Sequence, residues 1–329
     1  MAIFRCNKCG HIREVGSDYI GKSVKCPKCN NPATIYDTIA FLNALIKKHI
    51  AQTKELHNLR KELTNDNSGQ ETVDSFSFEN IDIHNTNVFT QDNNFTPIIH
   101  WFEKQNIQVQ INPYAVDTTG FFDEIALLLG NNFSVLNFVS NQIKYIQNKG
   151  YENVKIELSK KDQKEIQQIT SFCQTLHDYS FVAKYHYQKK DQIIHLTLQT
   201  APKIRDFFNG IWMEWFALMK LLEFFRDKKT SPAFSRSLDI SFSGGNSNEL
   251  DIFFLTEKGI PFCIECKTGE FRQDINKYLS LRKQLNIGKN QFIICVFGLS
   301  QEQAQGMTSM YELTFVNENT LTNHMQTII

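Results

Sequence analysis

The stretch from Asn248 to Gly269, NELDIFFLTEKGIPFCIECKTG, limits the possible folds more than any other. Two apolar runs flank Glu257-Lys258-Gly259, a charged turn ending in glycine. Two tightly joined β-strands are therefore expected, one through Leu250, Ile252 and Phe253-Phe254, the other from Pro261 to Lys267. Side chains two apart on a strand share a face. That alternation sets Glu249 with Asp251 and Glu265 with Lys267, while Ile264 and Cys266 turn to an apolar side. Pairing the polar faces would gather two or three carboxylates and one lysine at one spot. Like charges taken out of water repel, and a divalent cation is their usual counter-charge. The same residues can also be read as a structural salt-bridge group across two strands, since perturbed sites are only sometimes functional.

The flanking sequence supplies layers for such a strand pair. Lys203 to Lys228, introduced by Pro202, reads as one long helix. Ile204, Phe207, Phe208, Ile211, Trp212, Trp215, Leu218, Met219, Leu222 and Phe225 form its wide buried stripe. Trp212 and Trp215 are expected in the core rather than as base-stacking platforms. Glu214 lies at one edge of the stripe and Glu223 near the other. After Lys267 comes an amphipathic helix from Phe271 to Leu285 carrying Arg272, Lys277, Arg282 and Lys283. A continuous apolar strand follows over residues 291–297, then helix, short strand and helix.

An Asp followed on the next strand by Glu-x-Lys resembles the core of the PD-(D/E)XK nucleases, the fold of many restriction endonucleases. The run ECKTG followed by NKYLSLRKQLNIGKNQFIICVFG is similar to the C-terminal nuclease domain of the CRISPR ancillary nucleases switched on by cyclic oligoadenylate. The resemblance covers residues 204–300, lacks the proline of the name motif before Asp251, and brings no recognisable ligand-sensing domain. It implies an α/β, restriction-endonuclease-like mixed sheet flanked by helices. Asp251 and Glu265 then match the metal-binding acids and Lys267 the catalytic lysine. The backbone carbonyl of Cys266 would join the acids around Mg²⁺ or Mn²⁺. GIWMEWFALMKLLE resembles the helix that often completes the cluster, which makes Glu214 a candidate; a salt-bridged residue at the rim of the stripe is the other reading. The implied activity is divalent-metal-dependent endonucleolytic hydrolysis of DNA, with RNA possible, and an anti-phage role is suggested. An inactive nuclease fold serving as a nucleic-acid-binding or assembly module is the alternative.

At the N-terminus, CNKCG and CPKCN place Cys6, Cys9, Cys26 and Cys29 in two C-x-x-C knuckles separated by 16 residues. Four thiolates in a tetrahedron bind Zn²⁺ and leave no open position, so a structural zinc ribbon is expected over 1–37. So small a segment has almost no core, and the metal would supply most of its folding energy. Lys8, Arg13, Lys22, Lys25 and Lys28 lean towards nucleic acid as its partner, with protein equally open. Residues 38–64 carry Leu42, Leu45, His49, Gln52, Leu56, Leu59 and Leu63 at alternating spacings of three and four. This suits either a short coiled coil, hence a homodimer, or an amphipathic helix packed on the ribbon. Residues 65–96, rich in Asn, Asp, Ser and Thr, read as a linker.

Residues 97–200 are expected to form an α/β middle module: two helices ending at Gly150, the strand VKIEL, a helix, and a hairpin around Lys189-Lys190-Asp191. His177, His186 and His195 have no ligand-like spacing there. Residues 201–329 would be the nuclease domain. Lys plus Arg and Asp plus Glu both number 35, which argues against a non-specific nucleic-acid coat but leaves room for a local basic patch. With no apolar run near the roughly 18–20 residues of a membrane span and no signal-peptide core, a cytoplasmic protein is expected.

Overall fold

The computed structural model describes residues 2–6, 8–9, 11–38, 92–112 and 120–329. The chain divides into two units, Met1–Asp74 and Ser75–Ile329. The expected helical segment and linker lie, except for Thr38 and residues 92–96, outside the described residues.

The first unit is a four-stranded antiparallel sheet in the order β2-β1-β4-β3, built from β1 (Ala2–Arg5), β2 (Ile12–Val15), β3 (Ser23–Lys25) and β4 (Pro32–Asp37). Its core is small: Ala2, Phe4, Cys6, Cys26, Ala33 and Ile35.

The second unit centres on a six-stranded mixed sheet in the order β13-β12-β11-β10-β9-β5. The expected hairpin is its middle, with β10 (Ser247–Leu255) antiparallel to β11 (Pro261–Thr268) across a turn in which Gly259 has φ 72°. Phe254 faces Phe262 in register and stacks on it at 4.8 Å. The apolar strand β12 (Phe292–Phe297) runs parallel to β11, and β13 (Thr314–Val316) parallel to β12. On the other side β9 (Ala233–Phe242) and β5 (Ile107–Ile111) add antiparallel strands.

Each face of this sheet carries its own core. One face is covered by α1 (Asp92–Glu103) and α7 (Ile275–Gln284), which bury Phe102, Tyr278 and Leu281 against Leu238, Leu250, Phe253 and Cys263. The other receives α6 (Trp212–Asp227), whose Phe216, Met219, Leu222 and Phe225 pack over Ile252, Phe254, Ile264 and Cys266. Of the C-terminal helices, α8 (Gln301–Met310) packs on β13 and α9 (Leu321–Ile328) against α6.

Residues 120–200 form α2 (Phe121–Asn131), α3 (Phe133–Asn148), α4 (Gln163–Asp178) and a small antiparallel sheet β6-β8-β7 of β6 (Asn153–Glu157), β7 (Val182–Gln188) and β8 (Ile193–Leu198). Asp162 caps α4 reciprocally with Glu165, so the strand-to-helix switch is written in the local sequence. The core under α6 continues without a break through these helices to Val154, Ile156, Ile194 and Leu196. At the crossing of α2 and α6, Gly130 lies so close to Phe216 that an added Cβ would stand 2.2 Å from the ring.

The single long helix expected over 203–228 is broken. A short α5 (Pro202–Asp206) opens into a π-helical turn, Phe207–Ile211, before α6 begins. Gly210, at φ 153°, takes a conformation open essentially to glycine alone. The loosened turn is tied to α3, because Lys144 donates to the Asn209 carbonyl and Asn148 to the Asn209 side chain, both at 3.1 Å. Tertiary bonds to Asn209 thus override the helical periodicity, while Phe207 and Phe208 stay buried.

Candidate active site

The strands β10 and β11 pair from Leu255 with Pro261 to Ile252 with Ile264, and then part at Asp251. Beyond that point the Cys266 amide donates to the Asp251 carboxylate at 2.7 Å, in place of a strand-to-strand backbone bond. The Asp251 amide donates in turn to the Glu265 carboxylate, at 3.4 Å. The fork therefore locks the two acids together through backbone donors.

A break in alternation puts Asp251 there. Leu250 and Phe253, three residues apart, enter the same core, and Ile252 and Phe254 the opposite one. On β9 the same reset occurs between Arg236 and Leu238, at Ser237, which has φ 51°. Regular alternation, which would set Glu249 beside Asp251 on one face, thus ends at this paired irregularity. Such bulges re-aim side chains out of the regular pleat.

Glu265 and Lys267 share a face, as alternation requires. The Lys267 ammonium lies 3.6 Å from Asp251 and 3.8 Å from Glu265. Glu265 is 2% exposed, and burial, then the Asp251 charge, hold its carboxyl well above the usual range against the pull of Lys267. Lys267 is raised as well, and so stays charged: burial disfavours its charge, but Asp251 and Glu265 together outweigh burial. Tyr278 of α7 stands on the same side, its ring 6.0 Å from the Lys267 ammonium, and burial followed by the Glu265 charge raises its hydroxyl.

Glu214 is placed differently. It approaches from α6, on the opposite face of the sheet, and bonds Arg236 at 2.8 Å and the Ser237 hydroxyl at 3.3 Å. Burial first, then Asp251, push its carboxyl up to about 7, with Arg236 opposing. The structure thus brings Asp251, Glu265, Lys267 and the Cys266 backbone together, and sets Glu214 behind Asp251 in a buried ion pair. Glu223 lies half-exposed on α6, paired with Lys220 at 2.8 Å. No motif in the sequence marks Arg236, Ser237 or Tyr278. An arginine inside the apolar strand AFSRSLDISF was the one available signal.

Two donor sets invite metal. Cys6 and Cys29 sulfurs lie 3.5 Å apart, and Cys9 and Cys26 3.6 Å. These separations are far beyond the roughly 2.05 Å of a disulfide. They are close to the edge of about 3.8 Å in a tetrahedron with Zn–S distances of about 2.3 Å. All four sulfurs fall within 4.8 Å of one another, and the Lys28 amide points at Cys26. The Cys9 amide, against the cost of burial, draws the Cys6 thiol down to about 6. At Cys29 the Asn31 amide favours the thiolate, but burial and the neighbouring sulfurs outweigh it and push the thiol up to about 12. Four thiolates so close need a cation, and the cluster fits Zn²⁺. The fork is an oxygen site: two carboxylates and one ammonium, with a buried acid whose charge is under-compensated, which suits a hard divalent cation. Among the described residues, only the cysteine cluster brings three or more such side-chain donors within 4.8 Å. A cleft of about 410 Å³ lined by Pro97, His100, Trp101 and Glu257 holds none of the fork residues.

No family model and no curated protein matches this sequence. Solved structures similar to the chain include Can2 from Sulfobacillus thermosulfidooxidans in complex with cyclic tetra-adenylate, at TM-score 0.50 and 16% identity over 70% of this chain and 59% of Can2. Protein VC1899 from Vibrio cholerae aligns at TM-score 0.47 and 16% identity, over 80% of this chain and 63% of that one. The chain spans about three-fifths of the length of each. The likeness to Can2 is one of fold: a mixed α/β sheet flanked by helices. Among the described residues no helix is long and apolar enough to cross a membrane.

Proposed function

We propose that the chain is a divalent-metal-dependent nuclease that hydrolyses phosphodiester bonds of DNA, with RNA as a second substrate class. One observation carries the reading: Asp251, Glu265 and Lys267 converge where β10 and β11 part, the acids bonded through backbone amides and the lysine within 4 Å of both. Asp251, Glu265 and the Cys266 carbonyl would hold Mg²⁺ or Mn²⁺. When bound, that ion supplies charge against the phosphate oxygens and lowers the pKa of a coordinated water. Lys267, kept cationic by the two acids, orients the attacking water and offsets charge building on the phosphate in the transition state. Glu214 backs Asp251 as the helix carboxylate of the set. Bound Zn²⁺ holds the N-terminal unit together and has no catalytic part, since four sulfurs leave no open position.

The fold likeness to Can2, whose structure is a complex with cyclic tetra-adenylate, supports the nuclease reading and makes that molecule the first activator to try. An anti-phage role and a homodimer, joined through residues 38–64, belong to the same proposal. The test is incubation of the purified protein with single- and double-stranded DNA and RNA under Mg²⁺ and Mn²⁺, with and without cyclic tetra-adenylate. Metal-dependent cleavage that disappears in Asp251→Ala supports the proposal. One observation favours a second reading, a non-catalytic nucleic-acid-binding or assembly module: Lys267 already pairs with both acids, as a structural salt-bridge group would. Binding of nucleic acid without cleavage under every condition, and no Mn²⁺ site dependent on Asp251, would select it.

A further inference from the structure

Behind the fork lies a group that the sequence motif does not contain. Arg236 is 9% exposed and sits in the middle of β9, next to the reset at Ser237. Its Nη1 donates to Glu214 at 2.8 Å and lies 3.3 Å from the Ser237 hydroxyl, and its guanidinium carbon stands 4.0 Å over the ring of Trp215. Glu214 and Trp215 are consecutive on α6, so one side chain grips the helix at the carboxylate and at its neighbour. The planar fork of arginine makes both contacts at once; a lysine would keep the charge and lose the geometry.

Stability alone is a poor reason for this arrangement. Buried ion pairs can often be replaced by apolar residues without loss, because desolvation offsets the attraction. Ser237 also holds a left-handed backbone conformation that side-chain-bearing residues rarely adopt, and there its hydroxyl donates to the same Glu214 oxygen. Two donors thus act on one carboxylate oxygen, the arginine and the strained serine, and the tryptophan face backs the arginine. Asp251 lies opposite Ser237, between the Leu250–Leu238 and Ile252–Arg236 pairs.

We infer that Arg236 is a positioning residue for the metal site. It fixes Glu214 behind Asp251, from the far face of the sheet, as an outer carboxylate that raises cation affinity without joining Glu265. This rests on the nuclease reading only in taking the Asp251–Glu265 fork as the place where the cation binds.

Mn²⁺ titration of the full-length, zinc-loaded protein tests it, with Asp251→Asn as the blank for the fork. Arg236→Gln is expected to weaken Mn²⁺ binding by about 10- to 100-fold, the usual cost of losing an outer-shell partner. Glu214→Gln should do the same, and the double variant no worse than either, since both act through one contact. Arg236→Lys, which retains the buried charge, serves if the glutamine variant does not fold; its expected loss is about tenfold. An Asp251-dependent Mn²⁺ site whose affinity stays within about twofold in the Arg236 variants overturns the inference and leaves the nuclease reading standing. So do losses from Arg236→Gln and Glu214→Gln that multiply in the double variant. If no Mn²⁺ site depends on Asp251, the nuclease reading and this inference fall together.

Discussion

The four-cysteine cluster and the carboxylate fork are both metal-type donor sets, and they are built in opposite ways. The cysteines come as two local knuckles, are chemically alike, and bring all four sulfurs within 4.8 Å of one another. The fork draws Asp251 and Glu265 from different strands, adds an internal cation in Lys267, and keeps Glu214 on the far face of the sheet. The first is built of four like sulfurs, as a structural staple is. The second is mixed and unequal: burial raises the carboxyls of Glu214 and Glu265, while the neighbouring acids raise Lys267 and keep it charged, the kind of perturbation that gathers at functional sites. The contrast teaches that two donor sets can both invite a cation and still differ in kind: one has uniform donors, the other mixes acids with an internal cation.

The comparison breaks most visibly at the cysteines. Cys6→Ser with Cys9→Ser should abolish zinc binding, normally about one Zn²⁺ per chain by elemental analysis. The first unit should unfold, because structural zinc contributes roughly 10–16 kcal/mol in domains of this size. The sheet of the second unit should keep its melting transition, and its loss would erase the distinction between the two sites. At the fork, Asp251→Ala and Glu265→Ala should each reduce cleavage of DNA below detection while far-ultraviolet dichroism stays unchanged. Full activity in Glu265→Ala would reduce the fork to a salt-bridge group. Lys267→Ala should cost about 10² to 10³ in rate and leave Mn²⁺ affinity nearly intact, since the lysine acts on water and phosphate.

Two smaller effects sharpen the contrast. Removing one of two repelling acids relieves strain, so Asp251→Asn should raise the metal-free melting temperature and lose the extra stabilisation by Mn²⁺. The smallest effect is a pH slope. Glu214 titrates at about 7 in the fold against about 4.5 for the free group, so the folded state holds the proton more tightly. Its contribution to stability is fully present below about pH 4.5 and is lost as pH rises to about 7. Metal-free melting temperatures should therefore fall across that window, and Glu214→Gln should flatten the fall. An unchanged slope in that variant would assign the titration elsewhere.

Much of this was legible in the sequence because it is local. The C-x-x-C spacings, the turn at Glu257-Lys258-Gly259 and the helix stop at Gly150 need no partner to be read. Strand alternation sets Glu265 beside Lys267, and the resemblance to nucleases adds Asp251 to them. What escaped is set by distant groups. The strand at 107–111 alternates as IQVQI but is only five residues long and finds its partner more than 120 residues away, and in the strand at 233–242 the run Ser235-Arg236-Ser237 interrupts the alternation that marks a half-buried strand. Arg236 sits in such an interruption, and its partner Glu214 is 22 residues away. The reset at Ser237 and Asp251 cancels the simple face rule just where it mattered for Glu249. The break at Gly210 lies inside a flawless helical stripe, and only bonds from Lys144 and Asn148 reveal why the helix yields.

Gly130 carries a further consequence for how this protein can be divided or inherited. Only a hydrogen fits between α2 and the Phe216 ring, so the helix that bears Glu214 is seated on a surface built by residues 120–200. A fragment beginning at residue 201 would keep every residue of the fork and lose that seat, exposing Trp212, Phe216 and Phe297 to water. The fork is therefore no portable cassette. Recombination that moves it to another protein must carry the preceding helices along, and a methyl group at position 130 would be enough to unseat it.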